Sequence, residues 1–303
     1  VETGAHIPVL LDEVLEQLAI RPGGNYLDCT FGRGGHSREI LRRLGPTGRL
    51  LACDRDATAV AAGAELQADP RVTLVQARFS TITSALGAER LQAGLDGVLL
   101  DLGVSSPQFD EAQRGFSFQH DGPLDMRMDP DSGESVADWL AHAEQHEIER
   151  CLRDYGEERH ARRIARRLCD MRMREPLRTT AQLAAVIAGA VPRSGERIHP
   201  ATRSFQALRI QINDELGELE RALPVLRDVL APAGRLCAIA FHSLEDRIVK
   251  RYFRDSARAP EFGQAPGPRF ALVTRKPIYP AEAECAANPR ARSARLRVLE
   301  RAA

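Results

Sequence analysis

Residues 25–37 read NYLDCTFGRGGHS, a short apolar run that closes on a carboxylate, Asp28, and opens into a glycine loop ahead of a helix. Further along, LLACDRD sets Asp54 at the end of a second apolar run, and VLLDLGVSSPQ sets Asp101 at the end of another. Gly32, Gly34 and Gly35 let backbone amides approach a ligand closely, and an acid about 20 residues past such a loop suits the paired hydroxyls of a ribose. These types and spacings point to the holding of a nucleotide-like cofactor, without saying which one. FHSLEDRIVK adds His242 and Ser243 just past a later apolar run. That is the carboxyl edge where open α/β sheets bind their ligands, and a structural hydrogen bond is the alternative role for His242.

The elements that must position these residues follow from periodicity. Short apolar runs without alternation are predicted as strands at 25–30, 49–54, 72–77, 97–101 and 235–241, because strands of a parallel sheet are buried on both faces. Further strands are expected at 270–274 and 295–299, and helices at 9–20, 37–44, 57–67 and 82–86 alternate with the first strands. Seven strands whose last two form a hairpin predict the methyltransferase variant of the doubly wound sheet rather than a dehydrogenase fold. Residues 104–134 carry Gly, Pro, Ser and Asp with little periodicity and read as a long functional loop. Helices at 136–142, 144–155, 157–173 and 180–190 follow with no strand between them, the mark of an all-helical insertion. A long helix over 201–219 then exposes one face of Phe205, Leu208, Ile212, Leu216 and Leu219 to a core, and Pro224 starts a further short helix. The expected division is a first part of the catalytic domain over 1–108, the insert over 109–200 and the second part over 201–303.

Composition narrows the class. The chain has 303 residues, 43% of them apolar and 28% charged. Its longest apolar stretch, 183–191, falls far short of the roughly 18 residues a membrane span needs. The start shows no basic region leading into an apolar segment, so a cytoplasmic protein without a secretory signal or membrane partner is expected. The six cysteines are scattered with no C-x-x-C pair, and HAEQHE lacks the order of a zinc protease, so no metal site is expected. Net charge is zero, yet residues 109–148 hold ten acids and two bases, residues 150–178 ten arginines and five acids, and residues 247–301 thirteen bases and five acids. Basic stretches suit a phosphate backbone; the helix pattern ERHARRIARRL equally fits a solvated face.

The segments HIPVLLDEVL, LDCTFGRGGHS, CDRD, DLGVSSPQFD, RGFSF, PLDMRMD, IHPATRSFQALRI, NDELGELE, FHSLEDRIVK and NPRARSARLRVLER, in this order from His6 to Arg301, resemble the bacterial small-subunit ribosomal RNA cytosine-N4 methyltransferases of the H series. The resemblance implies a Rossmann-like class I methyltransferase fold with a seven-stranded, mostly parallel sheet and an inserted helical substrate-recognition domain. It implies S-adenosylmethionine as cofactor and a cytosine of the decoding centre (P-site) of 16S ribosomal RNA as target, within the assembled or nearly assembled small subunit. Cofactor contacts are implied for Gly34, Gly35 and His36 at the loop, Asp54 at the ribose, Phe79 after the third strand, and Asp101 and Gln108 around the fourth. Asp28 and Gly32 belong with that set, as an acid near the cationic methionine end and an amide near its carboxylate.

The residues also constrain the reaction. DLGVSSPQ stands where amino-methylating enzymes of this fold carry an acid or serine, two prolines and an aromatic, but it has one proline and no following tyrosine. A stacking ring must then come from Phe109, Phe116 or Phe118. An exocyclic cytosine amine is a weak nucleophile, so acceptors must hold its N–H groups, and Asp101, Ser105 and nearby carbonyls are candidates, with Ser106 beside them. Cofactor binding alone is the other role open to Asp101, and shaping the turn is that of Ser105 and Ser106. Residues 101–118 contain no cysteine, which excludes the thiolate route to cytosine carbon 5, and only Lys250 and Lys276 are lysines, which disfavours ribose 2′-O transfer. Arg203 and Arg209 are candidates for phosphate contact, with solvated helix arginines as the alternative. Methylation of another RNA or of DNA, a nucleotide-dependent oxidoreductase, and an RNA-binding assembly factor without the reaction are the competing functions. Either a monomer or a homodimer is compatible with the chain.

Overall fold

The computed structural model describes residues 8–192, 199–258 and 269–303. His6, Ile7 and Ile198 of the quoted segments, and residues 259–268 of the carboxyl-terminal basic stretch, lie outside the described residues. The strands are β1 (Asn25–Asp28), β2 (Arg49–Asp54), β3 (Val72–Gln76), β4 (Leu95–Asp101), β5 (Leu230–Ala240), β6 (Phe270–Leu272) and β7 (Arg295–Arg301). They form one seven-stranded sheet in the order β3-β2-β1-β4-β5-β7-β6. β1 to β5 pair in parallel, and β7 runs antiparallel to both β5 and β6. This is the expected methyltransferase variant of the doubly wound sheet. The strand order reverses between β1 and β4, and a ligand crevice at the carboxyl ends belongs at such a switch point.

The non-alternating apolar runs have the predicted cause. Leu27, Leu51, Val98, Leu100, Leu236 and Ala238 enter one buried cluster, while Tyr26, Leu50, Leu99, Cys237 and Ile239, their neighbours in sequence, enter another. Successive side chains of a strand point to opposite faces, and helices cover both.

Two compact units make up the chain, Val1–Gly103 with Leu216–Ala303, and Val104–Glu215. The first holds the sheet. The second has no strand among its described residues and packs the helices Val136–His142, Gln145–Gly156, Ala161–Arg172, Thr180–Ala190 and Thr202–Asn213 around a core containing Trp139, Leu152, Ile164, Leu183, Phe205 and Leu208. Ser135 and Thr179 start two of these helices by accepting hydrogen bonds from the amides of Asp138 (3.1 Å) and Gln182 (3.3 Å). Thr202–Asn213 thus belongs with the helical unit, whereas the sequence reading assigned residues from 201 onward to the sheet.

Two expectations are corrected by local geometry. The single helix expected over 201–219 is two helices, because Asp214 turns left-handed (φ 51°) between Thr202–Asn213 and Glu215–Asp228. Aspartate tolerates that conformation better than most residues. Pro224 lies inside the second helix rather than at its start. The stretch 104–134, expected as a loop, contains the short helix Ser106–Asp110 and buries Phe116, Leu124, Met126 and Met128 in the helical core. Several bonds pin it: the Met126 amide, at φ 63°, donates to the Arg114 carbonyl (3.1 Å), and Arg114 donates to the carbonyls of Arg127 (3.2 Å) and Met128 (3.0 Å). Backbone strain of this kind persists only where surrounding contacts over-determine it.

Candidate functional site

In the sheet unit, the glycine loop joins β1 to the helix Gly35–Arg43. Gly34 has φ 72°, and a Cβ there would lie 2.6 Å from the Phe31 ring; a Cβ on Gly35 would run into Pro8. A larger side chain at either position would displace the loop. The loop is tied to the acids on either side of it. Asp54, at the end of β2, accepts from the Gly32 amide (2.8 Å) and from the Asp56 amide (2.9 Å). Asp28, at the end of β1, accepts from the Ser37 hydroxyl (2.7 Å) and the Thr30 amide (3.1 Å). Thr30 also reaches across to β4, its Oγ1 accepting from the Asp101 amide (2.7 Å).

His36 is buried in the first turn of the helix after the loop, with Nε2 3.6 Å from Asp101 Oδ2. Asp101 Oδ1 is buried and has no hydrogen-bond partner among the described residues. Phe79, half-buried, opens the short turn Phe79–Thr81 just past β3 and packs on the core. His242 precedes the helix Ser243–Ser256 and caps it: Nδ1 faces the Glu245 amide at 3.5 Å, and Nε2 lies 3.1 Å from Glu245 Oε1. The structure therefore presents the structural role the sequence left open for His242.

Burial raises the proton affinity of these acids, and neighbouring charge adds to it for Asp54 and Asp101. Burial, then the charges of Asp28 and Glu245, push the Asp101 carboxyl up to about 8. Burial pushes Asp54 up to about 6 against the lowering effect of its two amide donors, and burial also raises Asp28. A half-buried carboxyl with one buried, partnerless oxygen and acidic neighbours favours a cationic ligand. The sign for stability follows. A carboxyl whose pKa rises on folding holds its proton in the folded state between about 4 and 8, so the ligand-free protein loses stability as pH climbs through that interval. Asp101→Asn is expected to leave stability at acid pH unchanged and to raise it by about 1–3 kcal/mol at pH 8.5. Urea denaturation at both pH values measures this, and equal effects at the two would remove Asp101 as the titrating group.

Sequence reasoning missed Thr30, Ser37 and Glu245. Thr30 and Ser37 flank the glycine loop, where the sequence marks them only as the end of a strand and the start of a helix. Glu245, buried at 3% exposure, had a legible signal, since the third residue after a helix cap reaches back to the cap's backbone. It does so here, accepting from the His242 amide at 3.3 Å and also from the Phe241 amide at 2.8 Å.

The remaining candidates lie in the helical unit. Ser105 caps Ser106–Asp110, its amide donating to Gln108 Oε1 (3.0 Å), so the Gln108 side chain, buried at 5% exposure, serves the turn. Ser106 is the first residue of that helix. Phe116 is 5% exposed in the core and presents no face for stacking. Phe118 is half-buried, with its ring 4.6 Å from His199 and 4.8 Å from Phe205, and Phe109 is 37% exposed. Arg209 is engaged by a bidentate pair with Glu215 (2.7 Å twice), which opposes its assignment to phosphate contact. Arg203 is half-buried in the helix Thr202–Asn213, close over Gly156, whose missing Cβ leaves room for the Arg203 carbonyl.

A doubly wound sheet with an antiparallel seventh strand, a glycine loop between β1 and its helix, and acids ending β1, β2 and β4 define a methyltransferase-type domain carrying a helical insert. Comparison with known proteins makes the class specific. The chain matches the model of the MraW methylase family over residues 3–302 and belongs to that family. It is 56% identical over 307 residues to the ribosomal RNA small subunit methyltransferase H of Thiobacillus denitrificans, covering 99% of this chain and 98% of that protein. It is 54% identical over 301 residues to the protein of the same name from Methylococcus capsulatus, covering 97% and 100%. No helix among the described residues is long and apolar enough to cross a membrane.

Proposed function

We propose that this protein transfers a methyl group from S-adenosylmethionine to the exocyclic N4 amine of a cytosine in the decoding centre of 16S ribosomal RNA, acting on a nearly or fully assembled small subunit. The observation that carries the cofactor reading is the set of acids around the glycine loop, above all the partnerless buried oxygen of Asp101. S-adenosylmethionine brings both a ribose and cationic groups, and when bound it supplies an electrophilic methyl on sulfur. In this reading Asp54 accepts from the ribose, Gly34, Gly35 and His36 line the loop side, Phe79 packs beside the base, and Asp28 and Asp101 face positive charge. The names of the relatives support ribosomal RNA of the small subunit as the substrate.

Asp101 remains a proposed acceptor for an amine N–H group, and Ser105 and Ser106, which follow it in sequence, remain the other proposed catalytic residues. A cytosine inside folded RNA must leave its stack, at a cost of roughly a few kcal/mol, and Phe118 is the proposed ring to receive it. The test is in vitro methylation of small subunits lacking the mark, with mass-spectrometric mapping of the product. Incorporation at cytosine N4 in the subunit is expected. Methyl transfer to DNA or naked RNA in preference to the subunit would replace the substrate assignment, and tight NAD binding without S-adenosylhomocysteine binding would overturn the cofactor assignment.

A further inference from the structure

Most arginines in the helical unit with a described contact are committed to the protein itself. Arg127 pairs with Asp125 (2.7 Å), Arg153 with Asp154 (3.0 Å), and Arg172 donates to the carbonyls of Leu140 (2.7 Å) and Ala143 (2.6 Å). Arg172 apart, the helix Ala161–Arg172 differs. It buries Ala161, Ile164, Ala165 and Leu168 in the core and turns Arg162, Arg163, Arg166 and Arg167 to solvent. None of these four has an acidic partner among the described residues, and Asp170 is the one acid on their face. At about 100° per residue the four guanidiniums span an arc of roughly 140°, on two successive turns about 6 Å apart along the axis.

Folding does not favour this arrangement. Like charges at i, i+4 oppose a helix, and lysine, glutamine or glutamate would suit the exposed face as well as arginine. Arginine does offer a planar fork matched to phosphate oxygens. We propose that Arg162, Arg163, Arg166 and Arg167 form a docking face for the phosphate backbone of RNA, gripping the substrate away from the reacting base. The inference rests on the ribosomal RNA reading above and adds to it a surface and its chemistry. The face contacts backbone, so it contributes affinity and orientation without reading sequence.

The experiment uses the full chain with all four arginines changed to glutamine, and a second protein with all four changed to lysine. Glutamine matches arginine in helix propensity, so both are expected to keep the wild-type circular dichroism and to bind S-adenosylhomocysteine as wild type does. With unmethylated small subunits as the probe, the glutamine protein is expected to bind roughly 100-fold more weakly at about 0.15 M salt. Its slope of log affinity against log salt should be flatter by about 3, while the lysine protein keeps most of the slope. An unchanged slope in the glutamine protein overturns the proposal, as does an equal loss in both variants, which would mark a structural role. Failure is separable from that of the functional reading: wild type that methylates subunits with the same KM as the glutamine protein rejects the face alone, whereas wild type that transfers no methyl to subunits rejects the function. Equal weakening on anionic lipid vesicles, with wild type preferring vesicles to subunits, would assign the face to a membrane surface and overturn the RNA assignment.

Discussion

Asp54→Ala is expected to reduce affinity for S-adenosylhomocysteine by at least about 100-fold, or about 2.7 kcal/mol. Two losses combine. The proposed bonds to the ribose disappear, and so do the two acceptor bonds that hold the Gly32 and Asp56 amides in place. A hydrogen bond to a charged group contributes about 1.5–3 kcal/mol, so one lost ribose bond would already approach the expected effect. Asp54→Asn keeps one carbonyl acceptor and should fall between the alanine protein and wild type. The pKa of Asp54, raised by burial to about 6, adds a signature. If the ionised form binds the ribose, wild-type affinity weakens as pH falls below about 6, and the asparagine protein lacks that limb. Isothermal titration between pH 5 and 8 measures both effects. An alanine protein within about threefold of wild type would show that Asp54 only shapes the loop without tuning the ligand.

Asn213→Leu is expected to destabilise the helical unit by about 3–5 kcal/mol, although leucine keeps asparagine's branching and number of heavy atoms. Asn213 is 1% exposed, and its amide is spent on three backbone groups. Oδ1 accepts from the Met128 amide (2.8 Å), and Nδ2 donates to the carbonyls of Met126 (2.7 Å) and Arg209 (2.9 Å). Leucine would remove the side-chain partners of the Met128 amide and the Met126 carbonyl, at about 1–3 kcal/mol each, and the additional bond to the helical Arg209 carbonyl, offset in part by its own burial. Asn213→Asp keeps the acceptor for Met128 and loses the two donors, so an intermediate loss is expected. Limited proteolysis with mass spectrometry reads the effect: cleavage within residues 113–131 should accelerate in the order Leu, Asp, wild type. Equal cleavage rates would mean that the segment is held by its apolar side chains alone.

The candidate site divides by how local its determinants are. The glycine loop, Asp28, Asp54 and Asp101 were legible because backbone conformation and strand ends depend on residues a few positions away. Glu245 carried only the local signal of a residue three past a helix cap, and Thr30 carried none, because its importance comes from strands brought side by side: the Thr30 hydroxyl meets the Asp101 amide 71 residues on. The stretch 104–134 misled for a similar reason. Its Leu124, Met126 and Met128 alternate with charged residues as a strand would, but over only five positions among Gly, Pro and Asp, and Phe116 stands apart, so nothing local says that they enter a helical core. The helix break at Asp214 was hidden by an apolar spacing that continues across it.

By itself the sequence determined the doubly wound sheet, the helical character of the insert and the order of the cofactor-binding motifs, since strands buried on both faces leave uninterrupted apolar runs and tight turns demand glycine. Only the tertiary structure decided which polar and aromatic groups remain available to act. Phe116 is enclosed by the helical core, Arg209 is held by Glu215, and His242 caps a helix, while Arg162, Arg163, Arg166 and Arg167 face solvent without acidic partners among the described residues. Burial and pairing are properties of neighbours in space: the core around Phe116 comes from distant positions, and even the nearby Glu215 and Glu245 meet Arg209 and His242 only because a chain turn and a helix start bring them together.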